Sequence, residues 1–322
     1  MPGSAWRGWR SLRILALAFA LMLALVAYWP KWQWLQWLSL LVLYSPSWLY
    51  FGLFLPWLLG WKSLTRWQYL MLLPMLFVAL KILDVSWPTT RVAQDTNFVL
   101  LSANLGNMAD TEQLARLMTQ HRVSVAIFQE ARLEKLVAFN TNDWQTHCDA
   151  GLCIVSKFPF DVEQTLSRSL FQGYGNFAIF YRINLPERNF LLANVHLETP
   201  RPALESLIQL SPDNTAMQLR QQDRELQATI IADWAKAQST ALVIGGDFNM
   251  PVLSPIYQQY FSSFGNALSE TSTQMVRYTK YTRWHGIRID HQLYRGDLVP
   301  LEASVLQLSS GDHRPVLVKW RI

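Results

Sequence analysis

Cysteine is scarce in this sequence, with Cys148 and Cys153 the only two in 322 residues. So few cysteines give no indication of a cysteine-rich zinc site. Their spacing suits neighbouring strands of a tight hairpin around residues 149–151. Two interpretations stay open: a disulfide, if this part of the protein lies outside the cytoplasm, or two small buried hydrophobic residues.

Charge is also scarce, because 16% of the residues are charged and 51% are hydrophobic. The shortage is local: residues 14–30, 32–61 and 67–80 are three uncharged runs. About 20 apolar residues span a bilayer, so the first two runs are long enough and the third needs Lys81 to extend to the interface. We therefore expect residues 1–88 to form a membrane segment with two to three transmembrane helices that contact the lipid bilayer.

The first apolar run follows Arg7, Arg10 and Arg13, as it would in a signal peptide. No small-residue cleavage site follows it, and two more apolar runs come directly after, which favours retained helices. Eleven of the fifteen tryptophans lie in residues 1–87, as in an aromatic belt at a membrane interface. The runs contain no intramembrane charge of the kind that marks an ion path, so a transporter unit is not indicated.

Positive charge also sets the expected orientation. The three arginines should stay in the cytoplasm, and three spans would place everything after about residue 88 outside. We expect an integral membrane protein of a bacterial inner membrane with an extracytoplasmic, periplasmic C-terminal domain. If Ser45-Pro46-Ser47 splits the middle run into a re-entrant hairpin, the topology inverts.

The sequence lacks a basic block as well. The net charge is +5, much of the excess lies in the N-terminal segment, and the two signs nearly balance from residue 92 onward. Tight, non-specific binding to a nucleic-acid duplex relies on many cationic contacts to phosphates. The charge distribution therefore argues against that kind of binding.

After Trp87-Pro88 the pattern changes to short apolar runs and amphipathic stretches. The predicted strands are 97–105, 123–130, 152–160, 177–185, 190–198, 241–249, 287–294 and 315–320, and the predicted helices are 110–121 and 216–237. Residues 199–215 are typical of a surface loop with at most one helical turn. Strands mixed with helices predict an α/β or α+β domain over residues 92–322.

One predicted strand, ALVIGGDFN, ends in a carboxylate and an amide, Asp247 and Asn249. Because strand side chains alternate faces, these two should point the same way while Phe248 turns into the core. Functional groups collect at such strand ends in layered α/β folds. The structural alternative is a simple turn before Pro251.

Other predicted strands deliver polar side chains in the same way. The further residues are Asn104, Glu130, His196, Asp290, Asp312 and His313. Each has a plain structural explanation when taken singly, such as a turn, an ion pair or a core histidine. Eight independent explanations of this kind are improbable together, so we expect one shared site.

The motifs occur in the order of the endonuclease/exonuclease/phosphatase superfamily, and the chain resembles a membrane-anchored bacterial-type member of it from about residue 97 to 322. The matching motifs are QE at 129–130, GLCIVSKFP at 151–159, NVHL at 194–197, GDFN at 246–249, RIDH at 288–291 and DHRPV at 312–316. The resemblance implies a deoxyribonuclease I-like four-layer sandwich, with two face-to-face β-sheets flanked by helices, after the N-terminal transmembrane segment. Gly311 stands where the family usually has serine, which leaves a supporting hydrogen bond in question.

The resemblance implies hydrolysis of a phosphoester bond with a divalent metal ion. Mg²⁺, with Mn²⁺ as a substitute, takes oxygen ligands and needs only one or two carboxylates. Glu130 is the main predicted ligand, with Asn104 and Asp312 beside it. Water should be the nucleophile, because no serine or cysteine in the motifs is placed with a base.

The resemblance also assigns roles to the catalytic residues. Asp247 would orient and deprotonate the water, and Asn249 would hold the water or a phosphate oxygen. His313, steered by Asp290, and His196 from the other side would stabilise the developing negative charge. Candidate substrate-binding residues, each with an equal structural alternative or a stronger one, are Trp284, His285, Tyr174 and Asn176. Two arginines of the long predicted helix, Arg220 and Arg224, are expected to be solvated.

Two substrate classes fit these motifs: nucleic acid, and a phospholipid or small phosphoester. Selection between them should lie in the loops 131–150, 199–215 and 250–285. The missing basic groove favours a lipid or small phosphoester, while the frequency of nucleases in the family favours nucleic acid. A membrane-facing rim could be formed by the aromatic residues Tyr257, Tyr260, Phe261 and Phe264.

A hypothesis of a different class is a catalytically inactive, membrane-bound binding module of the same fold. Such a protein should lack at least one of the essential site residues. All of them are present, which favours the enzyme. No obligate protein partner is evident from the sequence.

Overall fold

The computed structural model describes residues 3–89, 91, 96–106, 110–139 and 143–322. The expected domain start at residue 92 and the side chain of Arg7 lie outside the described residues. The chain divides into two compact units, one comprising Met1–Ser86 with Leu253–Pro255 and the other Trp87–Val252 with Ile256–Ile322.

The first unit is helical. Its helices are α1 (Gly3–Ala24), α2 (Gln33–Tyr44), α3 (Leu55–Leu59), α4 (Arg66–Leu70) and α5 (Leu72–Ile82), with 3₁₀ segments at Val26–Tyr28, Ser47–Phe54 and Trp61–Ser63. Arg13 is fully buried among them. Its guanidinium donates to the Gly60 carbonyl at 2.6 Å, to Gln68 Oε1 at 2.8 Å and to Ser63 Oγ at 2.9 Å. These bonds connect α1 to the segment before α4 and to α4 itself.

No helix among the described residues is by itself both long and apolar enough to cross a bilayer. Gln33–Tyr44 and Ser47–Leu59 meet the requirements of length and composition only as a pair, and they bend by 95° at their junction. Pro46 lies in that junction, and its ring and missing N–H interrupt a helix. The expected two to three transmembrane helices are therefore not found, and the bend falls where the sequence allowed a re-entrant hairpin.

The second unit is built around β-strands. They are β1 (Phe98–Asn104), β2 (Val125–Gln129), β3 (Gln145–Asp149), β4 (Leu152–Ser156), β5 (Phe160–Ser167), β6 (Asn176–Asn184), β7 (Asn189–His196), β8 (Leu242–Asp247), β9 (Gly265–Asn266), β10 (Lys280–Tyr281), β11 (Gly286–Ile287), β12 (Asp290–Arg295), β13 (Val299–Val305) and β14 (Val316–Arg321). The later helices are α6 (Thr111–Gln120), α7 (Arg201–Ile208), α8 (Asn214–Ala237), α9 (Pro255–Tyr260) and α10 (Ala267–Glu270).

These strands form two six-stranded mixed sheets, in the orders β13-β14-β1-β2-β4-β3 and β5-β6-β7-β8-β12-β9. The strands β1 and β2, and likewise β7 and β8, run parallel. The inner faces of the two sheets meet in one core, where Phe98 of the first sheet stacks on Phe190 of the second with 4.5 Å between ring centroids. The apolar side of α6 packs on the first sheet and that of α8 on the second. The predicted α/β sandwich of two sheets flanked by helices is confirmed.

Two elements differ from the sequence prediction. The single strand predicted at 152–160 is two strands, because β4 ends at Ser156 and β5 begins at Phe160. β5 (FDVEQTLS) lies at a sheet edge, and most of its residues are exposed. Its alternation of Phe160 and Val162 with acidic residues stops at Gln164, where the pairing with β6 shifts register, so the sequence pattern is short. The predicted surface loop at 199–215 contains α7, whose buried residue is Ala203.

The two cysteines form a disulfide between β3 and β4. Cys148 and Cys153 are directly opposite each other in the strand register, with their Cα atoms 4.1 Å apart. The hairpin predicted around residues 149–151 therefore exists, and the disulfide interpretation of the pair is the one that the structure adopts.

Candidate active site

The register of the second sheet gathers side chains around Asp247, the last residue of β8. The parallel partner of Asp247 on β7 is His196, and its antiparallel partner on β12 is Asp290. Gly246, directly before it, has φ +140°, and a Cβ there would lie 1.9 Å from the Val195 carbonyl oxygen. Glycine is therefore required for β7 and β8 to approach so closely at the site.

Asn249 follows in a left-handed conformation, with φ +50°, which asparagine tolerates better than most residues. Its backbone N–H donates to Asp247 Oδ1 at 2.8 Å, and its Nδ2 donates to the Leu197 carbonyl at 2.9 Å. Phe248 between them is fully buried, as strand alternation predicts. The two polar residues are thus held by each other and by the end of β7.

Three side chains surround the other oxygen of the same carboxylate. Asp247 Oδ2 lies 3.0 Å from Asn104 Nδ2, 3.7 Å from His313 Nε2 and 3.9 Å from His196 Nε2. Burial raises the pKa of Asp247 and the negative charge of Asp290 raises it further, while the two histidines and the Asn249 N–H oppose the shift. A carboxylate with a raised pKa is a stronger base, which suits deprotonation of a water molecule.

His313 and Asp290 form a buried pair. His313 Nδ1 lies 3.1 Å from each oxygen of Asp290, so the Nε2 side of the ring faces Asp247. Burial lowers the pKa of His313, but the charges of Asp290 and Asp247 outweigh burial and raise the pKa to about 9. At neutral pH this ring is therefore a cation that can face a developing negative charge.

In contrast to His313, His196 is uncharged at neutral pH. Burial lowers its pKa to about 4, since the favourable charge of Asp247 is opposed by Arg168 and His313. The ring is neutral at pH 7 and can donate or accept one hydrogen bond at Nε2. Glu130 Oε1 lies 3.7 Å from that nitrogen, which joins His196 to the first sheet.

The first sheet contributes Asn104 and Glu130, which come from neighbouring parallel strands. Asn104 Nδ2 donates to Glu130 Oε1 and to Asp247 Oδ2, both at 3.0 Å, and its Oδ1 accepts from the Gly106 N–H. Glu130 has φ +51°, an unfavourable backbone for a residue other than glycine that costs about 1–2 kcal/mol. Its side chain is 47% exposed, in contrast to the buried side chain of Asp247.

The acidic residues suit a hard divalent cation. Asp247, Asp290 and His313 each offer a ligand atom within 4.8 Å of the others. The His313–Asp290 hydrogen bond already occupies two of these groups. Glu130 and Asp247 share Asn104 as a neighbour, and Glu130 is exposed enough for a cation that keeps several waters. The oxygen-rich set therefore fits a metal at the Glu130 edge of the site.

Asp312 has a different position from the other predicted metal ligands. Its carboxylate forms an ion pair with Lys280, with 2.7 Å between Oδ2 and Nζ, and the Asp312 side chain is 55% exposed. Asp312 is not among the residues that line the cavity in front of the site. The pair with Lys280 lowers the pKa of Asp312 against the opposing effect of burial.

A cavity of about 350 Å³ opens in front of these residues and is lined mainly by charged side chains. The lining cations are Arg168, Arg201, Arg220 and Lys280, and the lining acids are Glu130, Glu198 and Asp247. Leu197 and Tyr174 are the large apolar or aromatic side chains of the lining. This cavity therefore suits a hydrophilic, anionic group.

The four candidate substrate-binding residues separate into two groups. Tyr174 lines the cavity and is 94% exposed. Asn176 is buried, and its Nδ2 donates to the Asp149 carbonyl, so it connects two strands. Trp284 and His285 are outside the cavity lining, and His285 Nδ1 lies 3.1 Å from Thr282 Oγ1.

The proposed aromatic rim is wrong. Tyr257, Phe261 and Phe264 are buried in the core between the second sheet and α8, and Tyr260 is partly buried against the same core. The helix α9 turns these rings inward, and a single apolar stripe cannot distinguish a core-facing surface from a membrane-facing one. The aromatic residues therefore support packing of the site and do not touch a membrane.

The expectation of solvated arginines on α8 is wrong for Arg224, while the side chain of Arg220 is 43% exposed. Arg224 is buried and its Nη2 donates to the Asn249 carbonyl at 3.1 Å, while Arg220 lines the cavity and pairs with Glu198 at 2.9 Å. Gln227 Oε1 accepts from the Glu198 N–H at 2.9 Å. The spacing 220, 224, 227 places these polar residues on one helical face, which was the available signal.

Arg168 and Lys280 were not anticipated at all. Arg168 precedes β6, and its guanidinium donates to the carbonyls of Asn176 and His196. Its Nε lies 3.5 Å from Glu198 Oε2. These contacts fix the end of β7 and put a positive charge beside His196, in a loop whose sequence carries no motif.

Comparison with known proteins gives a family match. Residues 99–313, more than half of the chain, match the model of the Endonuclease/Exonuclease/phosphatase family. A search of curated proteins returned no match.

Solved structures share the fold at low identity. TDP2 from D. rerio, solved with single-strand DNA product, is 13% identical with a TM-score of 0.55, and the match covers 71% of this chain and 100% of that one. The 3' phosphatase NExo from Neisseria, bound to a product DNA hairpin, is 16% identical with a TM-score of 0.55 and coverages of 70% and 100%. A mannosyl-6-phosphatase from Bacteroides thetaiotaomicron is 14% identical with a TM-score of 0.51 and the same coverages.

Proposed function

We propose that this chain, which belongs to the Endonuclease/Exonuclease/phosphatase family, is a divalent-metal-dependent phosphoesterase that hydrolyses its substrate by attack of water. The observation that carries the proposal is the arrangement around Asp247 Oδ2, where Asn104, His196 and His313 converge at a charged cavity. A binding module would have no need for a buried base flanked by a cationic and a neutral histidine.

Each residue of the site has a defined role in the reaction. Asp247 accepts a proton from water, and its Oδ1 stays anchored by the Asn249 N–H. The His313 ring, kept cationic by Asp290, donates from Nε2 to a phosphoryl oxygen as negative charge develops. His196 contributes a neutral hydrogen bond from the opposite side. Glu130 and Asn104 would hold Mg²⁺, which would supply Lewis-acid charge to the phosphoryl group.

The cavity favours a hydrophilic phosphoester. A volume of about 350 Å³ with charged walls accepts a phosphate and a small polar group, and Leu197 and Tyr174 are the only large apolar or aromatic side chains among the described lining residues. The solved relatives include proteins bound to DNA products and a sugar phosphatase. We therefore favour a nucleic-acid strand or a small phosphoester as the substrate. A lipid fits only if its headgroup enters the cavity and its acyl chains stay outside.

The N-terminal unit is the part that we propose associates with a lipid bilayer. Its described residues expose large apolar side chains, including Leu15, Trp32, Leu58 and Trp67 at 60–70% exposure. Burying such side chains in lipid removes the cost of their contact with water. An extracytoplasmic second unit agrees with the Cys148–Cys153 disulfide, since disulfides persist in oxidising compartments.

The test is hydrolysis by the purified full chain, with MgCl₂ or with EDTA. Single-stranded DNA, bis(p-nitrophenyl) phosphate, p-nitrophenyl phosphate, mannose 6-phosphate and mixed phospholipid vesicles are compared side by side. We expect Mg²⁺-dependent hydrolysis of at least one ester that Asp247→Asn does not catalyse. Hydrolysis at the same rate in EDTA, or by the variant, would refute the proposed chemistry.

A further inference from the structure

Lys280 is placed beside His313 by main-chain hydrogen bonds. Lys280 and His313 form an antiparallel bridge between two short segments. On either side of the bridge, the Tyr281 N–H donates to the Asp312 carbonyl at 2.7 Å, and the Arg314 N–H donates to the Thr279 carbonyl at 2.6 Å. The two-stranded sheet of β10 and β11, here called the ribbon, therefore holds Lys280 directly opposite His313.

The ammonium group of Lys280 reaches the centre of the site. Nζ lies 2.7 Å from His313 Nε2 and 2.7 Å from Asp312 Oδ2, and the side chain is only 15% exposed. The same side chain lines the cavity together with Asp247 and His313. An ammonium has three N–H donors, and Asp312 accepts one of them. The cationic His313 ring is itself a donor at Nε2 and accepts none, so the close approach of the two cations favours an anion that both can contact.

An ion pair with Asp312 does not by itself explain this position. Asp312 is 55% exposed, and an ion pair with an exposed partner contributes little to the stability of a protein. Lysine has a strongly hydrated ammonium, so moving it out of water to a position beside a histidine is unfavourable. A bound anion would offset this unfavourable term. The lysine is therefore better explained by a ligand that carries negative charge.

We propose that Lys280 is a further catalytic residue, whose ammonium donates to a non-bridging oxygen of the phosphoryl group beside His313 Nε2. It stabilises the charge that accumulates on that oxygen while water attacks phosphorus, and it transfers no proton. Asp312 is then a positioning residue that holds Lys280 towards the cavity. This inference rests on the proposed function. It adds a contact to the substrate from Lys280 of the ribbon, a residue that lies outside all of the matching sequence motifs.

The experiment compares the full-length wild-type chain with Lys280→Met, Lys280→Arg and Lys319→Met. Lys319 is the matched control, because it also forms a lysine–carboxylate pair, 3.0 Å from Glu302, but does not line the cavity. Steady-state kinetics with the best ester from the hydrolysis panel give kcat and KM separately. Calorimetric titration with inorganic phosphate measures anion binding without turnover, and thermal unfolding checks the fold.

We expect Lys280→Met to lower kcat about 100-fold, with a smaller change in KM, because one donor to the transition state is lost. Lys280→Arg should recover at least a tenth of the wild-type kcat, and Lys319→Met should match the wild type. Phosphate should bind about tenfold more weakly to Lys280→Met. An active wild type together with a folded Lys280→Met whose kcat is within threefold would overturn the inference and leave the proposed function standing.

If the wild type hydrolyses none of the esters, the proposed function fails and phosphate binding alone decides on Lys280. A tenfold loss of phosphate affinity in Lys280→Met, absent in Lys319→Met, would then support the anion contact. Equal affinity in all four proteins would overturn it.

Discussion

His196 and His313 flank the same carboxylate within 4 Å, yet their surroundings make one ring neutral and the other a cation. His313 is bonded to Asp290 and has a pKa of about 9. His196 lies near Arg168 and has a pKa of about 4, because burial lowers it more than the charge of Asp247 raises it. The difference shows that residue type does not fix the role of a histidine here, because the neighbouring charges decide whether it is a cation or a neutral donor.

The largest expected effect comes from the carboxylate that both histidines share. Asp247→Asn removes the base but keeps a similar shape, so the rate of hydrolysis should fall about 10³–10⁴-fold. Circular dichroism and thermal unfolding check that the variant is folded. A residual rate above a tenth of the wild-type value would show that another group activates the water.

The two histidines should differ in their own variants. We expect His313→Gln to lower kcat about 10²–10³-fold, because a cationic donor to the transition state is replaced by a neutral one. His196→Gln should lower kcat only about tenfold, since glutamine keeps a neutral N–H donor. Equal losses in the two variants, measured under the same conditions, would contradict the assigned charge states.

A smaller effect is expected from the partner of His313. Asp290 is the largest of the charges that raise the pKa of His313. Asp290→Asn should therefore lower this pKa and move the alkaline limb of the kcat/KM profile to lower pH by about one unit or more. The acidic limb serves as the internal reference. An alkaline limb that does not move would show that it reports a group other than His313.

The smallest effect is on the way the free energy of unfolding changes with pH. His313 has its pKa raised from 6.5 to about 9 in the folded chain, so its contribution is complete below pH 6.5 and is lost as pH rises through 9. His196 has its pKa lowered to about 4, so its contribution is present above pH 6.5 and is lost as pH falls through 4. Urea unfolding of His313→Gln should flatten only the alkaline decline, and His196→Gln only the acidic one.

The sequence was sufficient for the parts of the fold that rest on strong apolar strands. The buried strands β1, β2, β7 and β8 end in Asn104, Gln129 before Glu130, His196 and Asp247, and the parallel registers then bring these residues together. Strand alternation also placed Phe248 in the core. These four strands are buried on both faces, so each reads as a nearly continuous apolar run, which is why these predictions hold.

Other features depend on contacts between distant segments, and the sequence could not supply them. β10 is two residues long, so nothing in its composition marked Lys280 as a neighbour of His313. Arg168 acts through main-chain carbonyls, which any sequence provides. In the N-terminal unit, the uncharged run 32–61 was long enough to span a bilayer, but the chain bends by 95° within it. Apolar composition gives the length of a run and not its path.

The most direct test of the central claim is hydrolysis of p-nitrophenyl phosphate, or of the best ester found, by the full chain in ¹⁸O-enriched water with Mg²⁺. If water attacks phosphorus with Asp247 as the base, mass spectrometry should find one ¹⁸O in the released phosphate and none in the alcohol, and Asp247→Asn should give no labelled phosphate above background. Label in the alcohol, or labelled phosphate formed equally well by Asp247→Asn, would contradict the account.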